Sequence, residues 1–155
     1  MDLLVLEQLK QLKYRYLRTL DLKLWDDFAD TLTDDVSANY GAQLSFEGRE
    51  AVVTFMRTSL GGGAIITVHQ CHHPEIVIDG DVASGTWYLE DKVIITEHRM
   101  LLTGAAFYED TYRRCDDGAW RIAKTGYVRS YEAVQSLDDI PSWKLTASRW
   151  AAAQA

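Results

Sequence analysis

The texture of the chain changes once, at Gly61-Gly62-Gly63. Before that run, apolar residues recur at steps of three and four; after it come four long β-rich stretches, about residues 64–79, 82–96, 98–115 and 119–133. Asp79-Gly80-Asp81 and Asp116-Asp117-Gly118 separate the first and last pairs, and both suit tight hairpins. Helices first and long antiparallel strands afterwards predict an α+β fold. The helices can cover only one face of such a sheet. If the sheet curls around them, the space between becomes a conical cavity closed at one end, and polar residues pointing into it are where chemistry is expected.

In the helical half, residues 2–20 carry Val5, Leu9, Leu12, Tyr16 and Leu20 as one apolar stripe. Tyr14 sits about 200° around the axis from Tyr16, so Tyr16 is expected inward and Tyr14 outward. A second short helix is read with Trp25, Phe28 and Leu32 inward and its end at Asp34-Asp35, followed by a short strand over 36–40. A third helix, about 50–60, buries Val52, Phe55 and Met56. The reading is one domain over 1–135. The tail, 136–155, is expected to form a helix from Pro141, with Trp143, Ala147 and Trp150 on one side, closing the cavity or joining an interface.

The 155 residues, 47% hydrophobic and 25% charged, suit a soluble domain with a real core. A net charge of -7 argues against a nucleic-acid surface. No apolar run approaches the ~20 residues that cross a bilayer, and the first residues do not read as a secretory signal. Cys71 and Cys115 fit no zinc or redox spacing, so free thiols in a reducing cytoplasm are expected.

Several side chains are candidates for chemistry. His69, His72 and His73 fall within five positions, but strand alternation puts His72 opposite the other two, and no nearby thiolate or carboxylate completes a metal set. His69 stands mid-strand in line with Thr67; His72 and His73 precede Pro74, where a bulge is expected. Asp21, between two helices, is either the cap of the second or a carboxylate that holds a histidine. Asp91 shares strand parity with Trp87 and Leu89, so it faces in if Trp87 does; otherwise it is a carboxylate beside Lys92 at a strand end. Arg129, near the end of the last strand, either binds an anionic group or pairs with surface acids. Asp110 is expected to support Arg113 or Arg114. Gly61–Gly63 follows a helix and precedes a strand, the reverse of a phosphate cradle, so it reads as a cap and turn.

Five segments carry a resemblance: Tyr-Leu-Arg-Thr-Leu-Asp (16–21), Glu-Gly-Arg-Glu (47–50), Val-His-Gln-Cys-His-His-Pro-Glu-Ile (68–76), Gly-Thr-Trp-Tyr-Leu-Glu-Asp (85–91) and Gly-Ala-Trp-Arg-Ile (118–122). Over about residues 3–135 the chain resembles the SnoaL-like branch of the nuclear transport factor 2-like superfamily, which includes scytalone dehydratase, bile-acid 7-alpha-dehydratase and steroid delta-isomerase. The bile-acid dehydratase and lindane dehydrochlorinase are similar in site pattern, with an aspartate ending the first helix and a histidine on the first long strand. Asp21 and His69, 48 residues apart, match that pair. Tyr16 matches a tyrosine of the bile-acid enzyme, whose further acid and arginine map to Asp91 and Arg129. The dehydrochlorinase has a lysine where Tyr16 stands, which makes halide loss the less natural reading.

The resemblance implies a lyase or isomerase that removes water, or shifts a proton, next to a carbonyl on a steroid- or polyketide-like molecule. His69 is the expected base, Asp21 its orienting acid, Tyr16 a hydrogen-bond donor and Asp91 the group that meets the leaving hydroxyl. Arg129, Thr67, Trp25, Phe28, Phe55, Met56, Trp87 and Phe107 are expected to bind substrate. Neither a metal nor an organic cofactor is expected. A hydrophobic small molecule is the expected partner, with no nucleic acid or membrane, and the exposed sheet face with the tryptophan tail predicts a homodimer or homotrimer. Two other readings remain: a non-catalytic binding or dimerisation module, and a small subunit of a ring-hydroxylating dioxygenase.

Overall fold

A computed structural model of the chain describes residues 2–41 and 43–151. Helix α1 spans Leu3–Asp21 and α2 Trp25–Asp30; strands β1 (Leu32–Tyr40) and β2 (Ser45–Glu47) precede α3 (Arg49–Leu60). Strands β3 (Ile65–Asp79), β4 (Val82–Ile95), β5 (Met100–Arg114) and β6 (Trp120–Ser136) follow, then a 3₁₀ turn at Leu137–Asp139. The sheet order is β2-β1-β6-β5-β4-β3, which leaves β3 on one edge.

The start of α1 is set by Asp2, whose carboxylate accepts from the backbone N–H groups of Leu4 and Val5 at 3.0 and 3.2 Å, a cap worth about 1 kcal/mol. Its inward stripe, Leu9, Leu12, Tyr16 and Leu20, is buried against the sheet, and Tyr14 is exposed, as the 3.6-residue period requires. Phe28, Val52 and Met56 join the same core. Alternation along β4 and β5 turns Trp87, Leu89, Tyr108 and Tyr112 inward.

Four expectations are corrected. The sheet is not wholly antiparallel: β1 runs parallel to β6. Gly126 permits this approach, since a Cβ there would stand 2.5 Å from the Asn39 carbonyl oxygen. Asp34-Asp35 does not end a helix; α2 stops at Asp30, and both acids lie in β1 where its register shifts, so both turn outward. Arg49 takes Asp34 at 2.9 Å and Arg113 takes Asp35 at 2.6 Å. The tail is not helical over 141–150, and residues 152–155 lie outside the described residues. An extended run covers roughly twice the distance per residue of a helix. That reach carries the chain from Leu137, buried and bonded to Arg99, to Trp150, whose ring faces the Lys23 ammonium at 4.4 Å. Finally, much of the space expected as a hollow is filled by Tyr16, Phe28, Trp87, Tyr108 and Tyr112.

Candidate active site

Helix α1 ends at Asp21 because Leu22 closes its last turn and Lys23 adopts a left-handed φ of 58°. Asp21 does not cap α2, whose N-cap is Leu24 with no side-chain bond. Its carboxylate points instead at β3. Oδ1 accepts from Thr67 Oγ1 at 2.7 Å and from His69 Nδ1 at 2.6 Å, while Oδ2 accepts from the His69 backbone N–H at 2.9 Å. A carboxylate can only accept, so Nδ1 carries the hydrogen and Nε2 keeps its lone pair when the ring is neutral. The side chains are 10% (His69) and 21% (Asp21) exposed. They line a flank groove of about 400 Å³ between α1 and the β3 edge, together with Tyr14, Leu17, Arg18, Leu22 and Cys71.

One register row crosses the inner face beside the histidine. His69 pairs with Asp91 on β4, Asp91 with Gly104 on β5, and Gly104 with Glu132 on β6. Arg129 reaches over Gly104 and grips both Asp91 oxygens, at 2.5 and 2.9 Å. Its Nε lies 3.2 Å from Glu132, and its guanidinium lies over the Tyr127 ring. The β5–β6 register shifts between Ala105 and Ala106, leaving Ser130 unpaired. That bulge keeps Arg129 and Glu132 on one face although they are three residues apart. Burial weighs against the Arg129 charge, but its bonds to Asp91 prevail and its pKa rises above the ordinary arginine range.

The structure thus brings Asp21, Thr67 and His69 together and sets Asp91 and Arg129 beside them. It does not bring Tyr16 to them: the ring is fully buried on Phe28 and its hydroxyl is bonded to that of Tyr40 at 2.7 Å. Burial drives the Tyr16 pKa well above the usual phenol value. Phe28, Met56 and Trp87 are core residues, and Trp25 and Phe55 pack on that core; none of the five lines the groove. Phe107 is corrected outright. It alternates with inward Ala106 and Tyr108, so it stands on the outer face, 39% exposed and packed at a tilt against Tyr88, ring centroids 4.4 Å apart.

Asp110 does not support Arg113 or Arg114. It faces in, where Lys13 meets it at 2.7 Å with both side chains fully buried, and it accepts from Tyr112 and Thr125. Tyr112 in turn accepts from Trp87 Nε1, and the Lys13 ammonium lies 3.4 Å from the Tyr108 ring centroid. The signal was present in the sequence: Lys13 sits four residues after Leu9 and three before Tyr16, on the inward stripe. The bulge at the histidines is where Pro74 placed it, with the register shift between His72 and Glu75 and His73 at φ 48°. Among the described residues no group of three or more His, Cys, Asp or Glu side chains is arranged to hold a metal ion. Nor is any helix long and apolar enough to cross a membrane.

A curved, unclosed sheet on three helices is the nuclear transport factor 2-like fold, and here an acid–imidazole pair stands where α1 meets the edge strand. The chain belongs to the SnoaL-like domain family, which matches residues 1–126. Among solved structures it is similar to a candidate scytalone dehydratase from Novosphingobium aromaticivorans, at 16% identity and a TM-score of 0.77, covering 85% of this chain and 88% of that one. The hexachlorocyclohexane dehydrochlorinase LinA-type3 from Novosphingobium barchaimii is similar at 16% identity and a TM-score of 0.78, covering 94% and 97%. The Kfla4162 protein from Kribbella flavida is similar at 22% identity and a TM-score of 0.72, covering 82% and 91%. At these identities the likeness is one of fold.

Proposed function

We propose that the protein is a lyase acting by acid–base chemistry on a hydrophobic small molecule, eliminating water next to a carbonyl, with carbonyl-directed proton transfer as the same site's simpler reaction. The Asp21–His69 pair carries this reading. Its geometry leaves Nε2 as the free base, and positioned proton transfer of this kind contributes about 10²–10⁴-fold. Nε2 takes the proton from the carbon next to the carbonyl, and the C–H electron pair becomes the new C=C bond as the bond to the departing hydroxyl breaks. The imidazolium, held at Nδ1 by Asp21, passes that proton to the hydroxide, which leaves as water. Leu17, Leu22 and Tyr14 offer the apolar wall for such a substrate.

Asp91 receives a changed role in this reading. Arg129 engages both of its oxygens, so we assign the pair to charge placement beside the base rather than to proton donation. Tyr16 is assigned to the core, where its hydroxyl fixes α1 against β1. The names of the scytalone dehydratase and dehydrochlorinase neighbours support elimination as the reaction type. The test is a screen of hydroxy-ketones, steroid and polyketide types included, for loss of water by the wild-type and His69→Ala proteins. Turnover by the first and none above background by the second is expected. Equal turnover by both overturns the reading and leaves ligand binding as the role of the groove.

A further inference from the structure

Strand β5 carries a glycine where the sheet face is otherwise occupied. Built on the backbone, a Cβ at Gly104 collides with Arg129 Nη1 and stands 3.0 Å from both Arg129 Cζ and Asp91 Oδ1. A mid-strand glycine costs packing and entropy, and its usual reason is the close approach of another group. Here that group is the Arg129 guanidinium, which needs the bare backbone to cross from β6 to β4.

The destination explains why the crossing matters. Asp91 is the register partner of His69 on the same face, which sets their Cβ atoms about 5 Å apart. Asp21 binds the ring from α1, Arg18 and Cys71 line the groove with it, and Asp91, gripped by Arg129, is its register partner on β4. Asp21 takes the hydrogen on Nδ1. A second free carboxylate would attract a hydrogen onto Nε2 as well, and a doubly protonated ring is no base. Arg129 donates to both Asp91 oxygens and offsets their charge, which weakens that competitor.

We infer that Gly104 is a positioning residue of the site: its missing side chain admits Arg129 to Asp91, and the clamp so formed keeps His69 Nε2 bare and open to substrate. The inference rests on His69 being the working base, but its test needs no substrate, so the two fail separately.

The test is ¹⁵N NMR of the imidazole rings at pH 8, with the His69 signals identified by their absence from His69→Gln. Wild type is expected to show Nδ1 protonated and Nε2 bare. Gly104→Ala is expected to protonate Nε2 in most molecules, and adding Asp91→Asn is expected to restore the bare nitrogen, a rescue that mere loss of packing would not give. The atom that meets the new methyl is the end of a flexible side chain, so the guanidinium yields and the strand stays. Should Gly104→Ala alone fail to fold, Gly104→Ala/Arg129→Ala, which removes the collision, is expected to fold and to show Nε2 protonated. A bare Nε2 in folded Gly104→Ala, or an unfolded double variant, overturns the inference.

Discussion

A carboxylate that accepts three hydrogen bonds has little freedom to turn, and that is how a single aspartate fixes an imidazole. Asp21 is pinned by Thr67 and by the His69 backbone before the ring nitrogen is counted. Thr67→Val removes the hydroxyl while keeping the shape, so it is expected to cost about 1 kcal/mol in urea unfolding. Turnover is expected to fall with it, because Asp21 Oδ1 is then held only by the ring it should be aiming. At this scale the sequence was partly readable. Strand alternation, a local property, set Thr67 and His69 on one face; the pairing of His69 with Asp21 came from the resemblance, whose 48-residue separation this chain repeats, since no local pattern joins a helix end to a strand. The partner of the Tyr16 hydroxyl was not readable, because Tyr40 reaches it through the placement of β1, which no local pattern encodes.

Between elements, the Lys13–Asp110 pair ties α1 to β5 with both charges out of water. Such a pair contributes little net stability, but losing one partner strands a buried charge at about 3–5 kcal/mol. Lys13→Met is therefore expected to destabilise by about that much, and Lys13→Met/Asp110→Leu to recover most of the loss; equal loss in both variants would show that the ion pair is not the source. The three helices, the four long strands and the two Asp-Gly hairpins were legible in the chain because such turns and 3.6- or 2-residue periods are written locally, whereas the three-residue β2 and the extended tail were not. The parallel contact of β1 with β6 was not, since it joins segments some 90 residues apart. The stripe was traced through apolar residues alone, which left out the inward Lys13 that shares it. Phe107 was missed for a related reason: a large apolar side chain was assigned to the interior without counting parity from Tyr108.

For the whole molecule, surface acids set the behaviour in acid. Hydrogen bonds from Arg113 hold the Asp35 carboxyl down at about 2. Burial pushes Asp30 upward, but bonds from Arg15 and Arg121 outweigh it, and the Ala119 N–H and Arg121 hold Asp117 low. Carboxyls depressed on folding contribute stability above their unfolded range and lose it as pH falls through the folded value. Urea midpoints are therefore expected to fall between about pH 4 and 2, with a shallower fall in Asp35→Asn; an unchanged slope would remove these pairs from the account.

The central claim concerns how one proton moves, and deuterium uptake reads it most directly. A carbonyl substrate found in the screen is incubated in D₂O with wild type, Asp21→Asn and His69→Ala, and label is followed at the carbon next to the carbonyl. The account predicts rapid labelling or deuterated product with wild type, an intermediate rate with Asp21→Asn, and a loss of about 10²–10⁴-fold with His69→Ala. Labelling at the wild-type rate by the His69→Ala protein would contradict it.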